Sequence, residues 1–275
     1  MIRYATENDK HSLISLWQEA FGDSEEYILK FLDSFFNSSN TPVVEADGEI
    51  AAMLFLLDGS MSIGGRNYPA YYLYAACTQK KYRGRGFMGE LLEFSAKEAQ
   101  KSGRAYICLK PGEKSLFDFY AKHGYLGIFG RRNITVERQS NEAYIEPCEQ
   151  ADLFNLREAA LHNYDHFIWE RESLDKAISL SVYGGARLYS NCKGYSLYGQ
   201  NDNECTVMEF TFTDDYIDKF ANYIFATTPC KRIKFSLIPM GDAACECNAM
   251  ALPLDKEAKQ AVCGMTNAYL GLTLE

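Results

Sequence analysis

One short stretch, residues 83–89, constrains the fold of this chain more than any other. It reads Arg-Gly-Arg-Gly-Phe-Met-Gly, with an apolar, aromatic run before it and a helix-like pattern after it. Glycines between a strand and a helix let backbone N–H groups point toward an anion, and the helix dipole favours negative charge at that end. Lys80 and Lys81 add positive charge nearby. The stretch therefore predicts an anion-binding loop at the start of a helix, and a pyrophosphate would suit it.

Two nucleotide-binding motifs share this glycine spacing, but their context is missing. The letters GRGFMG match G-x-G-x-x-G, yet a dinucleotide fold places that turn directly after its first strand, within alternating β-α-β units. Here hairpin-linked strands come first, and residues 78–83 separate the last strand from the glycines. The phosphate loop G-x-x-x-x-G-K-[ST] needs Lys and Ser or Thr at the end, where Glu90 and Leu91 stand. A nicotinamide-dependent oxidoreductase is thus the weaker alternative.

Apolar periodicity divides the chain into two halves of similar plan, residues 1–140 and 141–275. The first predicts two helices separated by a break at Gly22-Asp23-Ser24, then two hairpins with one turn at Asp47-Gly48. The glycine loop and its helix follow, then a strand, a short helix and closing strands. At the place of the glycine loop, the second half has Thr213-Asp214-Asp215, an acidic turn that cannot cradle phosphate. Its predicted elements are helices near 151–163, 172–180, 215–226 and 256–262, strands at 186–190, 194–199, 205–212 and 231–237, and a final strand ending at Leu274.

Composition argues against several classes of function. No apolar run reaches the roughly 20 residues of a membrane span, and the N-terminus lacks a signal segment, which predicts a cytoplasmic protein with no membrane partner. Nine scattered cysteines are typical of reduced thiols. Their close pair, Cys245 and Cys247, lacks the second pair that a zinc site needs, so no metal is expected. The second half holds 11 basic and 20 acidic side chains, which argues against a nucleic-acid partner.

Two segments resemble the GNAT superfamily of acyl-CoA-dependent N-acyltransferases. ACTQKKYRGRGFMGELL resembles motif A, [RQ]-x-x-G-x-[GA], with Arg83 at the basic position, Gly86 at the first glycine and Met88 where Gly or Ala is usual. FYAKHGY, residues 119–125, resembles motif B, typically F-Y-x-x-x-G-F. A GNAT domain followed by a degenerate GNAT-like domain further resembles the Eis-type (enhanced intracellular survival) acetyltransferases, here without their sterol-carrier-like third domain.

The resemblance implies an α/β (α+β) fold with a mixed, mostly antiparallel central sheet flanked by helices. Residues 1–140 would be the acetyl-CoA-binding catalytic domain, and residues 141–275 a degenerate GNAT-like domain that shapes the acceptor cleft. Acetyl-CoA would be the co-substrate, and its acetyl group would pass directly to the primary amine of a small molecule or peptide. A cationic amine would suit the acidic second half. An acyl-CoA-binding sensor without turnover is the alternative, and a homo-oligomer is left open.

The resemblance also implies roles for individual residues in the transfer. Tyr120 would lie near the CoA sulfur and protonate the departing thiolate, because a phenol with an ordinary pKa of about 10 is protonated at neutral pH. A backbone N–H near Ala76 or Cys77 would polarise the thioester carbonyl, and Cys77 is expected to pack in its strand rather than to act as a nucleophile. The cofactor-binding residues would be Ala76, Cys77, Thr78, Arg83, Gly84, Arg85, Gly86, Phe87, Met88, Gly89, Ser115 and Phe119.

The sequence leaves the general base open. Glu45 and Glu113 are possible carboxylates, and no spacing selects either of them. Eis-type proteins use the carboxylate at their own chain terminus, so the resemblance implies a catalytic role for Glu275.

Overall fold

A computed structural model describes residues 1–138, 151–201, 203–240 and 245–274. The chain forms two compact units, and both are discontinuous in sequence. The first comprises Met1–Met61, Asn67–Gly127 and Ala249–Cys263, and the second comprises Ser62–Arg66, Ile128–Asn248 and Gly264–Glu275. The predicted division between residues 140 and 141 lies outside the described residues.

The helices of the first unit begin and end where local chemistry dictates. In chain order they include α1 (Lys10–Phe21), α2 (Glu25–Phe35), α3 (Phe87–Lys101) and α4 (Ser115–Lys122). Gly22 ends α1 with a φ of 80°, in the left-handed region that favours glycine. Ser24 caps α2 by accepting the N–H of Tyr27 at 3.2 Å. The predicted break between the first two helices is confirmed.

The sheet of the first unit is a meander followed by one parallel strand. Its strands are β1 (Ile2–Tyr4), β2 (Pro42–Ala46), β3 (Glu49–Ile63), β4 (Arg66–Thr78) and β5 (Tyr106–Leu109). They lie in the order β1-β2-β3-β4-β5, with β5 parallel to β4. Asp47 and Gly48 turn β2 into β3 with φ values of 54° and 79°, as the Asp-Gly pair predicts.

Helices cover both faces of this sheet. Because neighbouring residues of a strand point to opposite faces, β3 shows the division directly. Phe55 packs against Trp17 of α1 and Phe31 of α2, with ring centroids 5.7 and 5.0 Å away. Its neighbours Leu54 and Leu56 belong instead to the core formed with α3 and α4. The result is a three-layer α/β/α unit.

The second unit repeats the order of elements found in the first. Its elements are α5 (Leu153–Leu161), α6 (Arg171–Tyr183) and α7 (Ile217–Thr227), and β6 (Leu126–Glu137), β7 (His166–Trp169), β8 (Arg187–Asn191), β9 (Gly194–Gln200), β10 (Glu204–Phe210) and β11 (Arg232–Leu237). Strands β8, β9 and β10 form an antiparallel meander, then α7 leads to β11, which is parallel to β10. The β6 strand lies antiparallel to β11 on its other side.

A late segment of the chain returns to the first unit. Strand β12 (Glu246–Pro253) places Met250–Pro253 antiparallel to β5, and α8 (Lys256–Ala261) follows. The phenol of Tyr106 on β5 donates to the carbonyl of Ala258 at 2.8 Å. The helix was predicted, whereas β12 and β7 were not.

The predicted final strand ending at Leu274 is wrong. Only single bridges form there, at Ala268 and Tyr269. Gly271 has a φ of 76°, which interrupts an extended chain. The Leu272 N–H donates to the buried Glu209 carboxylate at 3.1 Å instead of to a neighbouring strand. Among the described residues, none of the helices is long and apolar enough to cross a membrane.

Candidate functional site

Strands β4 and β5 of the first unit share only a short ladder. They pair from Ala70–Tyr72 to Tyr106–Cys108, and β4 then continues to Thr78 while β5 ends at Leu109. The far end of β4 thus leaves the ladder with β5, and within the described ranges no other strand pairs with its backbone on that edge. Ala75, within this end, has a φ of 48°, which marks a local irregularity. The opening suits an extended ligand arm that pairs with backbone.

The glycine loop follows this free end of β4. Gly84 and Gly86 have φ values of 77° and 86°, which glycine adopts without strain, and α3 begins at the next residue. The first helical hydrogen bond runs from the Glu90 N–H to the Gly86 carbonyl at 3.1 Å. Across the described residues, the N–H groups from Gly84 to Gly89 donate to no backbone carbonyl. The loop and the first turn of α3 therefore present free N–H groups where the helix dipole is positive.

Several cations of the loop already have partners. The Arg85 guanidinium lies 5.2 Å from the ring of Tyr82 and 3.7 Å from Asp47. Lys81 pairs with Glu49 at 2.5 Å. The Nε of Arg83 donates to the carbonyl of Thr78 at 3.2 Å, which holds this guanidinium near the end of β4. The backbone N–H groups, with Arg83 beside them, are therefore the groups of this loop best placed to bind an anion.

Gly89 belongs to the glycine loop and also allows a close contact between α3 and His123. A Cβ atom at this position would lie 2.8 Å from Cε1 of His123, which follows α4. The missing side chain lets the end of α4 approach the first turn of α3. Met88, Phe87 and Gly89 are half-buried at this junction, whereas Gly84, Arg85 and Gly86 are exposed.

Tyr120 and Cys77 are buried near each other. Each residue is 7% exposed. Burial raises the pKa of Tyr120 to about 12, and the Cys77 thiol raises it further. Burial also raises the pKa of the Cys77 thiol, so this group stays protonated and is a poor nucleophile. Tyr120 is therefore a protonated phenol within electrostatic reach of the last residues of β4.

The other residues predicted to bind the cofactor lie on both sides of this opening. Ala76 and Thr78 are half-buried on β4 beside Cys77. The ring of Phe119 lies 5.3 Å from that of Tyr120. Ser115 is exposed at the start of α4, where its hydroxyl donates to Glu113 at 3.1 Å.

The carboxylates considered as a base have different surroundings. Glu45 accepts a hydrogen bond from the Arg3 guanidinium at 2.8 Å. Glu275 lies outside the described residues. Glu19 of α1 was not predicted, yet it accepts the Lys80 N–H at 2.5 Å, and its charge is among the causes that raise the Cys77 pKa. No local pattern connects Glu19 to a loop 61 residues away.

The part of the chain that the structure describes offers no group of three or more His, Cys, Asp and Glu side chains able to hold a metal ion. The described cysteines are free thiols.

In the second unit, the turn equivalent to the glycine loop is acidic. Asp214 there pairs with Arg132 at 2.7 Å.

Comparison with known proteins agrees with this geometry. Residues 1–127 match the family described as an acetyltransferase (GNAT) domain. No curated protein sequence matches the chain. Solved structures with a similar fold include a probable N-acyltransferase from Enterococcus faecalis V583 (TM-score 0.72, 14% identity, 94% of this chain and 74% of that one). Another is a GCN5-related N-acetyltransferase from Anabaena variabilis (TM-score 0.70, 16% identity, 93% of this chain and 73% of that one). A third is Eis1 from Mycobacterium abscessus (TM-score 0.66, 10% identity, 93% of this chain and 74% of that one).

The repeated order of elements in the second unit fits a second, degenerate GNAT-like domain. Its acidic turn at Asp214 replaces the glycine loop. Residues 1–127 thus form a GNAT acetyltransferase domain, and the fold over 93% of the chain is similar to that of the Eis-type protein Eis1.

Proposed function

We propose that this protein transfers the acetyl group of acetyl-CoA directly to the primary amine of a small molecule or peptide. The observation that carries the proposal is the free end of β4 between a loop of unpaired N–H groups and a buried phenol, Tyr120. The loop suits a pyrophosphate, the free strand edge suits an amide-containing arm, and the phenol suits a departing thiolate. Together these features match acyl-CoA better than a nucleotide alone.

In this proposal, the loop residues bind the pyrophosphate of acetyl-CoA and the β4 residues orient its thioester. The N–H groups from Gly84 to Gly89 would hold the pyrophosphate oxygens, assisted by Arg83. The backbone at Ala76 and Cys77 would position the thioester and donate a hydrogen bond to its carbonyl oxygen, which gains negative charge during transfer. Cys77 itself would only pack.

Proton transfers complete the reaction. The amine nitrogen forms a bond to the acetyl carbon and loses a proton to a base, while the carbon–sulfur bond breaks and leaves its electron pair on sulfur. Tyr120 then gives its proton to that sulfur, so the products are an N-acetylated amine and CoA thiol. The base releases the amine proton to solvent, and Tyr120 takes a proton up from solvent before the next turnover. The pKa of about 12 keeps Tyr120 protonated at working pH, although it makes the donor weaker than an exposed phenol.

Two carboxylates are proposed as the base that accepts the proton of the amine. Glu19 is held against the loop by the Lys80 N–H, and its charge influences Cys77 on β4. A carboxylate there would attract an ammonium group and accept its proton. The carboxylate of Glu275 is the second, by analogy with the chain terminus of Eis-type proteins. Comparing Glu19→Gln with a variant lacking Glu275 would show which of the two supports turnover.

Release of CoA thiol across a panel of amines tests the proposed function. The panel would contain polyamines, aminoglycosides, peptides with free N-termini and a neutral primary amine of similar size as a control for charge. We expect thiol release that depends on one class of amine, with the acetylated amine found by mass spectrometry. Tight binding of acetyl-CoA without amine-dependent thiol release would contradict the proposal and favour the sensor alternative.

A further inference from the structure

The last described residues of the chain are buried but form no strand. Residues 268–274, here called the tail, are all buried, and beyond single bridges at Ala268 and Tyr269 they pair with no strand that the structure describes. Buried backbone N–H and C=O groups need hydrogen-bond partners, because burial without one costs free energy. Other groups of the second unit must therefore supply those partners.

A buried ion pair holds the tail at two points. The side chains of Arg157 on α5 and Glu209 on β10 are both fully buried, with Nε of the first 3.0 Å from Oε1 of the second. The Glu209 carboxylate accepts the N–H of Leu272 at 3.1 Å. The Arg157 guanidinium donates to the carbonyl of Leu270 at 3.4 Å. The pair thus binds the tail on both sides of Gly271.

Gly271 lets the backbone of the tail approach the pair this closely. It has a φ of 76°, in the left-handed region that favours glycine. A Cβ atom here would lie 2.6 Å from both Nη2 of Arg157 and Oε1 of Glu209. The Gly271 carbonyl accepts a further hydrogen bond, from Arg131 at 2.8 Å. The tail and the ion pair therefore fit each other only while this residue has no side chain.

Further contacts hold the pair itself in place. The hydroxyl of Tyr195 on β9 donates to the other Glu209 oxygen at 2.6 Å, and Arg157 donates to the carbonyl of Phe167 on β7 at 2.9 Å. Replacing a buried ion pair by apolar residues often leaves stability unchanged or raises it, so stability alone does not account for these two charges. What the pair fixes, through hydrogen bonds of defined direction, is the position of the tail.

We propose that Arg157 and Glu209 are positioning residues, which fix the tail so that the carboxylate of Glu275 can accept the proton of the amine. This inference rests on the proposed function, in which Glu275 is one of two candidate bases. Leu274 is 2% exposed, and the next Cα atom lies about 3.8 Å further along the chain, so a fixed Leu274 limits where that carboxylate can reach.

The proton transfer that the tail would support is balanced. A carboxylate oxygen of Glu275 forms an O–H bond with the proton of the amine. The nitrogen keeps the electron pair of its N–H bond and uses it for the bond to the acetyl carbon. The carboxyl group then releases the proton to solvent. A displacement of about 1 Å in such a group can cost roughly 100-fold in rate, which is why a rigid tail matters.

The test measures kcat, the acetyl-CoA Kd and thermal unfolding in the full chain, with the best amine of the panel. Gly271→Ala pushes the tail away from the ion pair and changes neither charge. Glu209→Gln weakens the pair and provides a second variant should the first not fold. Each is made with and without Glu275. Val207→Ala is the matched control, because Val207 lies on the same strand as Glu209 and is fully buried, but packs in the core formed with α7.

We expect Gly271→Ala and Glu209→Gln to lower kcat roughly 10-fold to 100-fold, with the acetyl-CoA Kd within about twofold of wild type. Neither should lower kcat further in the variant that lacks Glu275. Wild-type kcat should be level above about pH 6, where a carboxylate of ordinary pKa is ionised. In the two variants kcat should rise about tenfold per pH unit toward the pKa of the amine, because water must then take the proton. Val207→Ala should lower the melting temperature and keep the wild-type kcat and pH profile.

Four results would overturn the inference. They are wild-type kcat in both tail variants, an equal loss of kcat with and without Glu275, a loss of the same size in Val207→Ala, and wild-type kcat in the variant that lacks Glu275. The last would make another group, such as Glu19, the base and would leave the proposed acetyl transfer intact. Wild type that releases no thiol with any amine is a different outcome, because it removes the proposed function and the inference together.

Discussion

Substitutions of Gly86 distinguish the effect of charge in the glycine loop on acetyl-CoA affinity from the effect of its backbone geometry. Gly86 has a φ of 86°, and a Cβ atom built there meets nothing within 4 Å. Any L residue would therefore fit in space but would be strained by about 1–2 kcal/mol. A Glu side chain adds a carboxylate that can lie about 5 Å from the bound pyrophosphate. At an effective dielectric constant of about 20 to 80, each pair of charges then repels by about 1–3 kcal/mol.

These magnitudes predict a graded series in acetyl-CoA affinity. Gly86→Ala carries the strain alone, so its Kd should rise modestly. Gly86→Glu should weaken binding by a further factor of roughly 5 to 150, or more if both phosphates are affected. Gly103→Glu is the matched control, because Gly103 also has a left-handed φ, 77°, with no atom near its Cβ, but follows the opposite end of α3. It should lose stability and keep its affinity.

Isothermal titration calorimetry of acetyl-CoA on the folded variants measures this series, with thermal unfolding as the check on folding. One site per chain is expected in wild type, because the acidic turn at Asp214 replaces the loop in the second unit. Equal affinity in Gly86→Glu and Gly103→Glu would refute the assignment of the pyrophosphate to this loop.

Three further predictions concern single contacts. Gly89→Ala should lower the free energy of unfolding in denaturant titrations, because its methyl would lie 2.8 Å from His123. In a His123→Ala background the same substitution should raise the free energy of unfolding by about 1 kcal/mol, the gain in helix propensity, and equal effects in both backgrounds would contradict the contact. Cys77→Ala should keep the rate of thiol release within about threefold of wild type, since burial keeps the Cys77 thiol protonated. A thousandfold loss would indicate instead that Cys77 acts as a nucleophile. Hydrogen bonds from Arg3 hold the pKa of Asp9 well below its usual range, so the Asp9 carboxylate stabilises the fold above about pH 4 and this stabilisation is lost as pH falls through the lowered pKa. In urea unfolding, Asp9→Asn should reduce the loss of stability at acid pH, and an unchanged pH dependence would contradict the Arg3–Asp9 ion pair.

Local patterns predicted the elements that local chemistry fixes. The Asp47-Gly48 turn, the break at Gly22 and the glycine loop each depend on a φ that few other residues adopt. These features need no knowledge of distant partners.

Features that depend on distant partners were not predictable in this way. β12 carries no signal that it pairs with β5, since either edge of a sheet accepts an apolar strand. The tail near Leu272 resembles a strand, but a buried carboxylate of Glu209 takes its N–H. Glu19 looks like an ordinary helix residue until Lys80 is brought against it. Each contact joins residues far apart in the chain, where periodicity carries no information.

Turnover by Tyr120→Phe tests the central claim most directly. The substitution keeps the ring and removes only the proton, so stability and the acetyl-CoA Kd should barely change. Amine-dependent thiol release should fall by roughly 10²–10⁴-fold, the usual contribution of one general acid. Because the pKa of Tyr120 is about 12, the wild-type rate should show no loss from this phenol below about pH 11. A Phe variant that releases thiol at the wild-type rate would contradict the account.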